Sequence, residues 1–243
     1  MKKTAIITGA SRGIGRACAT ALAKEGYHLA LFCHNNIEML NEFAVSLQDS
    51  YKIEVYTYAG DIADSGFTIP ACEDAIVKLG QVDVLINNAG IAHLGLLTDM
   101  SLDEWDEMIG TNLSPLFYTA KAVVPAMVHA KAGNIINISS MWGTVGASCE
   151  VAYSAAKGGV NSFTKALGKE LALSGIAVNA IACGVVDTDM NGMLSAEEKQ
   201  ELSDEIPAGR FCKPEEIAEV ALSIINAPSY MTGQVIGVDG GYI

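Results

Sequence analysis

Thr4-Ala5-Ile6-Ile7-Thr8-Gly9-Ala10-Ser11-Arg12-Gly13-Ile14-Gly15 holds the reading that decides the fold. Thr4–Thr8 is a short apolar run, bounded by glycine, and reads as a buried strand. Glycines at 9, 13 and 15 permit a tight turn. An amphipathic stretch, Gly13–Glu25, then reads as a helix. The same strand-then-helix unit recurs down the chain. His28–Cys33, Ile53–Tyr58, Val82–Ile86, Asn134–Ser139, Ile176–Ala182 and Gln234–Val238 read as further strands. Helices are expected over Asn36–Gln48 and around Pro70–Leu79, with two long helical stretches over Ser101–Ala130 and Ala152–Ser174. Near-continuous apolar strands alternating with helices imply a parallel sheet covered on both faces. The expected class is α/β, a Rossmann-type doubly wound parallel β-sheet of seven strands. No linker or repeat divides the chain, so residues 1–243 are expected to form a single domain.

Of the 243 residues, 50% are hydrophobic and 18% charged, which allows a substantial core. A net charge of −13 argues against nucleic acid and anionic membrane as partners. The six cysteines, at 18, 33, 72, 149, 183 and 212, show no C-x-x-C and no metal-ligand spacing. They read as reduced thiols of a cytoplasmic protein. Lys2-Lys3 begins like a leader, but the polar, glycine-containing Thr8–Gly13 stretch interrupts the apolar run. No stretch is long and apolar enough for a membrane span.

A glycine turn between a first strand and a helix suits a pyrophosphate, because backbone approaches closely and the helix N-terminus offers free N–H groups. The spacing here is G-x-x-x-G-x-G, and a merely structural turn is the alternative. Gly9, Ser11, Arg12, Gly13, Ile14 and Gly15 are the candidate cofactor contacts. The second strand ends Phe32-Cys33-His34-Asn35, without the carboxylate that usually binds an NAD ribose. Arg12 and His34 favour a 2′-phosphate, so NADP(H) is expected over NAD(H).

Tyr153 and Lys157 lie one helical turn apart. An ammonium at about 4 Å favours a phenolate by roughly 4 kcal/mol at an effective dielectric near 20. The pair is therefore expected to lower the Tyr153 pKa, which suits general acid–base work.

In order along the chain stand the glycine loop, Asn87-Asn88-Ala89-Gly90 after the fourth strand, Asn112 in T-N-L, Ser140, and the Y-S-A-A-K of Tyr153 and Lys157. This set resembles the short-chain dehydrogenase/reductase family from the first strand to the C-terminus. The resemblance implies that Tyr153 protonates a carbonyl oxygen as hydride reaches its carbon. Lys157 would lower the Tyr153 pKa and bind the nicotinamide ribose, with Tyr153 also a cofactor contact. Ser140 would position the carbonyl, and the Asn112 backbone carbonyl would hold a relay water. Asp61 and Ile62 would touch the adenine, Asn88, Ala89 and Gly90 the adenosine ribose, and Val186 and Thr188 the carboxamide. Individually, Ser140 also reads as a helix cap, Asn112 as a polar helix residue and Asp61 as a turn former. The family usually has Pro-Gly after the sixth strand, where this chain has Cys183-Gly184. A thiol there, with Cys149, raises redox sensitivity as one reading and a small apolar filler as the other.

Two substrates compete. G-A-S-R-G-I-G and the terminal D-G-G-Y are similar to 3-oxoacyl-acyl-carrier-protein reductases of fatty acid biosynthesis, the first expectation. Yet Thr111–Lys131 and Ala152–Ser174 contain no arginine to greet an acidic carrier. Trp142-Gly143, Gly146–Val151 and E-I-P-A-G-R at 205–210 resemble reductases of a 5-aminopentanone group on elongation factor P. For that amine, Glu150, Asp187 and Asp189 are candidate carboxylates, or simply solvated ones. Asp187–Lys213, with seven acidic and three basic residues, either covers the cleft or is a solvated helical excursion. A third class, a non-catalytic NADP-binding sensor or scaffold, would predict a broken catalytic set. The resemblance also implies a homotetramer built on the long helices.

Overall fold

The computed structural model describes residues 2–192 and 194–243. Seven strands form one parallel sheet: β1 (Thr4–Ile7), β2 (His28–Cys33), β3 (Val55–Ala59), β4 (Val84–Asn87), β5 (Gly133–Ser140), β6 (Ile176–Cys183) and β7 (Val235–Val238). Their order is β3-β2-β1-β4-β5-β6-β7. The expected doubly wound sheet is therefore present, with its strand order reversing between β1 and β4.

Alternation along the strands builds a core on each face. Ala5, Ile7, Leu29, Leu31, Ile136 and Ile181 point to one side. There they meet Leu22 of α1 (Gly13–Lys24), Leu40 and Leu47 of α2 (Ile37–Tyr51) and Ile217 and Ile224 of α9 (Pro214–Ile225). Ile6, Phe32, Leu85, Ile135 and Val178 point to the other side. They pack on Cys72 and Ala75 of α3 (Ser65–Leu79) and on Val123 and Met127 of α5 (Ser114–Ala130). Each of the buried Leu, Ile, Val, Phe and Met side chains contributes about 1.5–3 kcal/mol by leaving water.

The long helix expected over Ser101–Ala130 is broken. α4 (Leu102–Asn112) stops at Leu113, whose φ of −119° leaves the helix, and α5 starts at Ser114. Pro115 has no N–H, and the Leu116 N–H bonds Leu113 O at 3.1 Å, so the Asn112 carbonyl loses its helical donor. Conversely, α3 starts five residues earlier than the expected Pro70, capped by the Asp64 side chain on the Gly66 N–H. Pro70 sits exposed inside it, where water can reach the carbonyl it leaves free.

Ser140 leads into a single turn, α6 (Trp142–Val145), and then α7 (Val151–Leu171). After β6 come one 3-10 turn, Asp189–Asn191, and α8 (Ala196–Glu205), in which no residue is buried. No helix among the described residues is long and apolar enough to cross a membrane.

Candidate active site

The candidate residues gather at the carboxyl ends of the strands, beside the β1–β4 reversal where doubly wound sheets bind ligands. The glycine loop leaves β1 with Gly9 at φ +65°. A Cβ at Gly15 would lie 2.3 Å from Gly9 O and 2.5 Å from Asn88 Nδ2, so only glycine lets α1 pack this close. Asn88 Nδ2 donates to Thr8 O and Gly9 O, each at 3.0 Å. The Thr8 hydroxyl in turn accepts the N–H groups of Asn88 and Ala89, at 2.9 and 3.0 Å. Thr8 was not among the expected site residues, yet it clamps the loop to β4. Arg12 caps α1 through its backbone alone, and no acidic residue lies in that helix's first turn. The first amides of α1 thus keep no side-chain partner, as an anion site requires.

His34 stands exposed beyond β2. Asp61 is exposed beyond β3, and one of its oxygens accepts the Ala63 N–H at 2.8 Å, a turn former's bond. Ile62 beside it is buried. Val186, also buried, bridges to Cys212, and the Thr188 methyl lies over the glycine loop at Gly13. His34 and Asp61 therefore stand at the ends of β2 and β3, apart from the Ser140, Tyr153 and Lys157 group.

That group is built by β5 and α7. The Ser140 hydroxyl accepts the Trp142 N–H at 3.2 Å, capping α6, and keeps its own hydrogen to donate. Tyr153 is half-buried. Lys157 is buried, its Nζ donating to Ile138 O at 2.9 Å and lying 5.6 Å from the centroid of the Tyr153 ring. Gly90 sits between two partners: a Cβ there would lie 2.5 Å from Asn112 Oδ1 and 3.6 Å from Lys157 Nζ. Asn112 is held by donating to Met108 O and by accepting the Ile91 N–H, at 3.0 and 3.2 Å. Asn112, Gly90, Lys157, Tyr153 and Ser140 lie together.

The electrostatics differ from expectation. Burial pushes the Tyr153 pKa above its ordinary value; the Ser140 hydrogen bond pulls it back in part, and Cys183 and Glu150 push it further up. Burial also draws Lys157 down, to about 8. Desolvation outweighs the cation–phenol attraction expected from sequence spacing. Cys183 is buried and pushed up to about 12, again by burial, which is the behaviour of a filler and not of a reactive thiol.

Beneath the site runs a buried polar network that the sequence reading missed. Thr119 of α5 donates to Asn87, Asn87 to Asn137, and Asn137 to Thr164 of α7, at 2.8, 2.9 and 2.9 Å. Ser139 donates to Asn161 of α7 at 2.7 Å, and Asn161 to Gly143 O at 3.0 Å. The signal available was Asn137 and Ser139 at alternate positions, beside the isoleucines of β5. Their bonds fix α7, and with it Tyr153 and Lys157, against β5.

Residues 3–199 match the model of the short chain dehydrogenases. The chain belongs to the short-chain dehydrogenase family. Relatives of this short-chain dehydrogenase include an uncharacterized oxidoreductase, YmfI, of Bacillus subtilis strain 168, 39% identical and aligned over 100% of this chain and 99% of that one. The 3-oxoacyl-[acyl-carrier-protein] reductase FabG of Staphylococcus aureus strain Mu50 is also 39% identical, over 99% of this chain and 98% of FabG. Among solved structures, an actinorhodin polyketide ketoreductase variant with NADPH superposes with a TM-score of 0.93 at 32% identity, covering 99% and 97% of the two chains. YwfH, an NADPH-dependent reductase of bacilysin biosynthesis, superposes at 0.94 with 24% identity, covering 100% and 99%, a likeness of fold.

Proposed function

We propose that residues 1–243 act as one NADP(H)-binding domain that reduces a ketone to a secondary alcohol. The observation that carries this reading is the convergence of Ser140, Tyr153 and Lys157 beside an uncapped α1 N-terminus. The residues present fit the cofactor. Gly9, Ser11, Gly13, Ile14 and Gly15 would hold the pyrophosphate side, Arg12 and His34 the 2′-phosphate, and Asp61 and Ile62 the adenine. Asn88, Ala89 and Gly90 would line the adenosine ribose, and Val186 and Thr188 the carboxamide. When bound, the dihydronicotinamide supplies the hydride.

The chain's own residues then handle the oxygen. Ser140 donates a hydrogen bond to the ketone oxygen and orients it. Tyr153 gives that oxygen its proton, and the burial that raises its pKa keeps the phenol in the protonated form a reduction consumes. Lys157 spends one N–H on Ile138 O and keeps two for a ribose and for proton resupply. The Asn112 carbonyl, stripped of its helical donor, is free to accept from a water that feeds that relay.

The substrate we place first is a 3-oxoacyl thioester on acyl carrier protein, supported by the full-length similarity to FabG. A second reading, a 5-aminopentanone group on elongation factor P, is favoured by Glu150. This carboxylate is three residues before Tyr153 and hydrogen-bonds Trp142, while burial raises its pKa. It suits a substrate amine. Asp189, another carboxylate expected to serve that reading, lies 3.4 Å from the Arg12 guanidinium. The two substrates should be assayed side by side by NADPH oxidation. Turnover of the carrier-bound ketone alone supports the first reading, turnover of the modified factor alone supports the second, and no turnover of any ketone overturns both.

We also propose a cytoplasmic homotetramer. Leu102, Phe117 and Val128, exposed on α4 and α5 at 84%, 55% and 40%, are the apolar surface a second copy would cover. A monomer by light scattering would refute it.

A further inference from the structure

Arg12 in the glycine loop and Arg16 in the first turn of α1 have different tasks in the structure. Arg16 is committed to its own body: its guanidinium lies 4.0 Å from the Phe43 ring centroid, and Nη1 donates to Ser11 O at 3.4 Å. Arg12 points the other way, to the segment that follows β6, where Nη1 meets Asp189 Oδ2 at 3.4 Å. The approach is more than a passing contact of long side chains. A Cβ at Gly13 would lie 3.2 Å from Thr188 Cγ2, so the side chain next to Asp189 already rests on the loop. The 3-10 turn is pinned there by Asn191 Nδ2 donating to Val186 O at 2.8 Å. Both charged side chains remain about 70% exposed. A soluble anion can therefore reach the guanidinium.

We propose that Asp189 is a cofactor-specificity residue that competes with a ligand 2′-phosphate for Arg12. The inference rests on the NADP(H) reading and extends it to a residue outside the assigned cofactor contacts. A carboxylate and a phosphate on one guanidinium repel one another, so each weakens the other's hold. NADH, without that phosphate, leaves the pair undisturbed.

The test measures binding, independent of turnover. Asp189→Asn should tighten 2′,5′-ADP and NADPH by about two- to fivefold, the range for one exposed ion pair, and leave NADH unchanged. Affinities for all three ligands that are the same in wild type and Asp189→Asn would overturn the proposal. Arg12→Ala separates this from failure of the underlying reading. If Arg12→Ala abolishes the preference for NADPH over NADH while Asp189→Asn is silent, the NADP(H) reading stands and the role of Asp189 falls. If Arg12→Ala keeps that preference, the role of Arg12 falls and that of Asp189 with it, while the NADP(H) reading stands on His34.

Discussion

Lys157 Nζ donates to the carbonyl of Ile138 at 2.9 Å, tying the middle of α7 to the strand that ends in Ser140. The bond holds the ammonium over the Tyr153 ring, and the surrounding burial brings its pKa down to about 8. A charge essential to the reaction therefore titrates within the working range. Ketone reduction needs Lys157 charged and Tyr153 protonated, and Tyr153 is held above its ordinary pKa. The kcat/KM of reduction should be flat at acid pH and decline with unit slope above about pH 8. Lys157→Met should lose most activity together with that inflection. The stability linkage has the opposite sense. The unfolded chain protonates Lys157 near 10.5 and the folded one near 8, so between those values the unfolded state holds more protons and stability rises with pH.

Gly15→Ala places a methyl 2.3 Å from Gly9 O and 2.5 Å from Asn88 Nδ2. The loop must move to admit it. We expect a lower melting temperature and a loss of NADPH affinity of tenfold or more on the order of 1–3 kcal/mol of strain and lost hydrogen bonding. Fluorescence titration of NADPH into the variant checks this, and wild-type affinity would remove the close-packing argument.

Asn137→Ala removes the centre of the network that joins Thr119, Asn87 and Thr164. Buried partners left unpaired cost about 1–3 kcal/mol. Urea unfolding should show that loss. Because the network fixes α7, kcat should decline as well while NADPH affinity changes little.

The sheet was legible because each strand is an apolar run, bounded by glycine or polar residues and followed by a helical period. His28–Cys33 was placed to the residue, whereas other ends moved: the expected Ile53 start became Val55, and Val82 became Val84. Those ends depend on which residues find a ladder partner, and a sequence does not display partners. The break at Leu113 did carry a signal, Pro115 in the middle of the expected Ser101–Ala130 stretch, but the helical pattern runs on through it and reads as continuous. The site residues were legible as motifs in order. The raised Tyr153 pKa was not, because spacing reports a neighbouring charge and is silent on burial. Nor was the Arg12–Asp189 pair, which joins residues 177 apart in sequence.

Tyr153→Phe tests the central claim most directly. It removes one hydroxyl from a half-buried ring and leaves the packing of α7 in place. NADPH oxidation by a 3-oxoacyl thioester should decline by about 10²–10⁴-fold, the usual worth of a positioned proton donor, with unchanged melting temperature and NADPH affinity. A folded Tyr153→Phe protein that reduces the ketone at near wild-type rate would contradict the account.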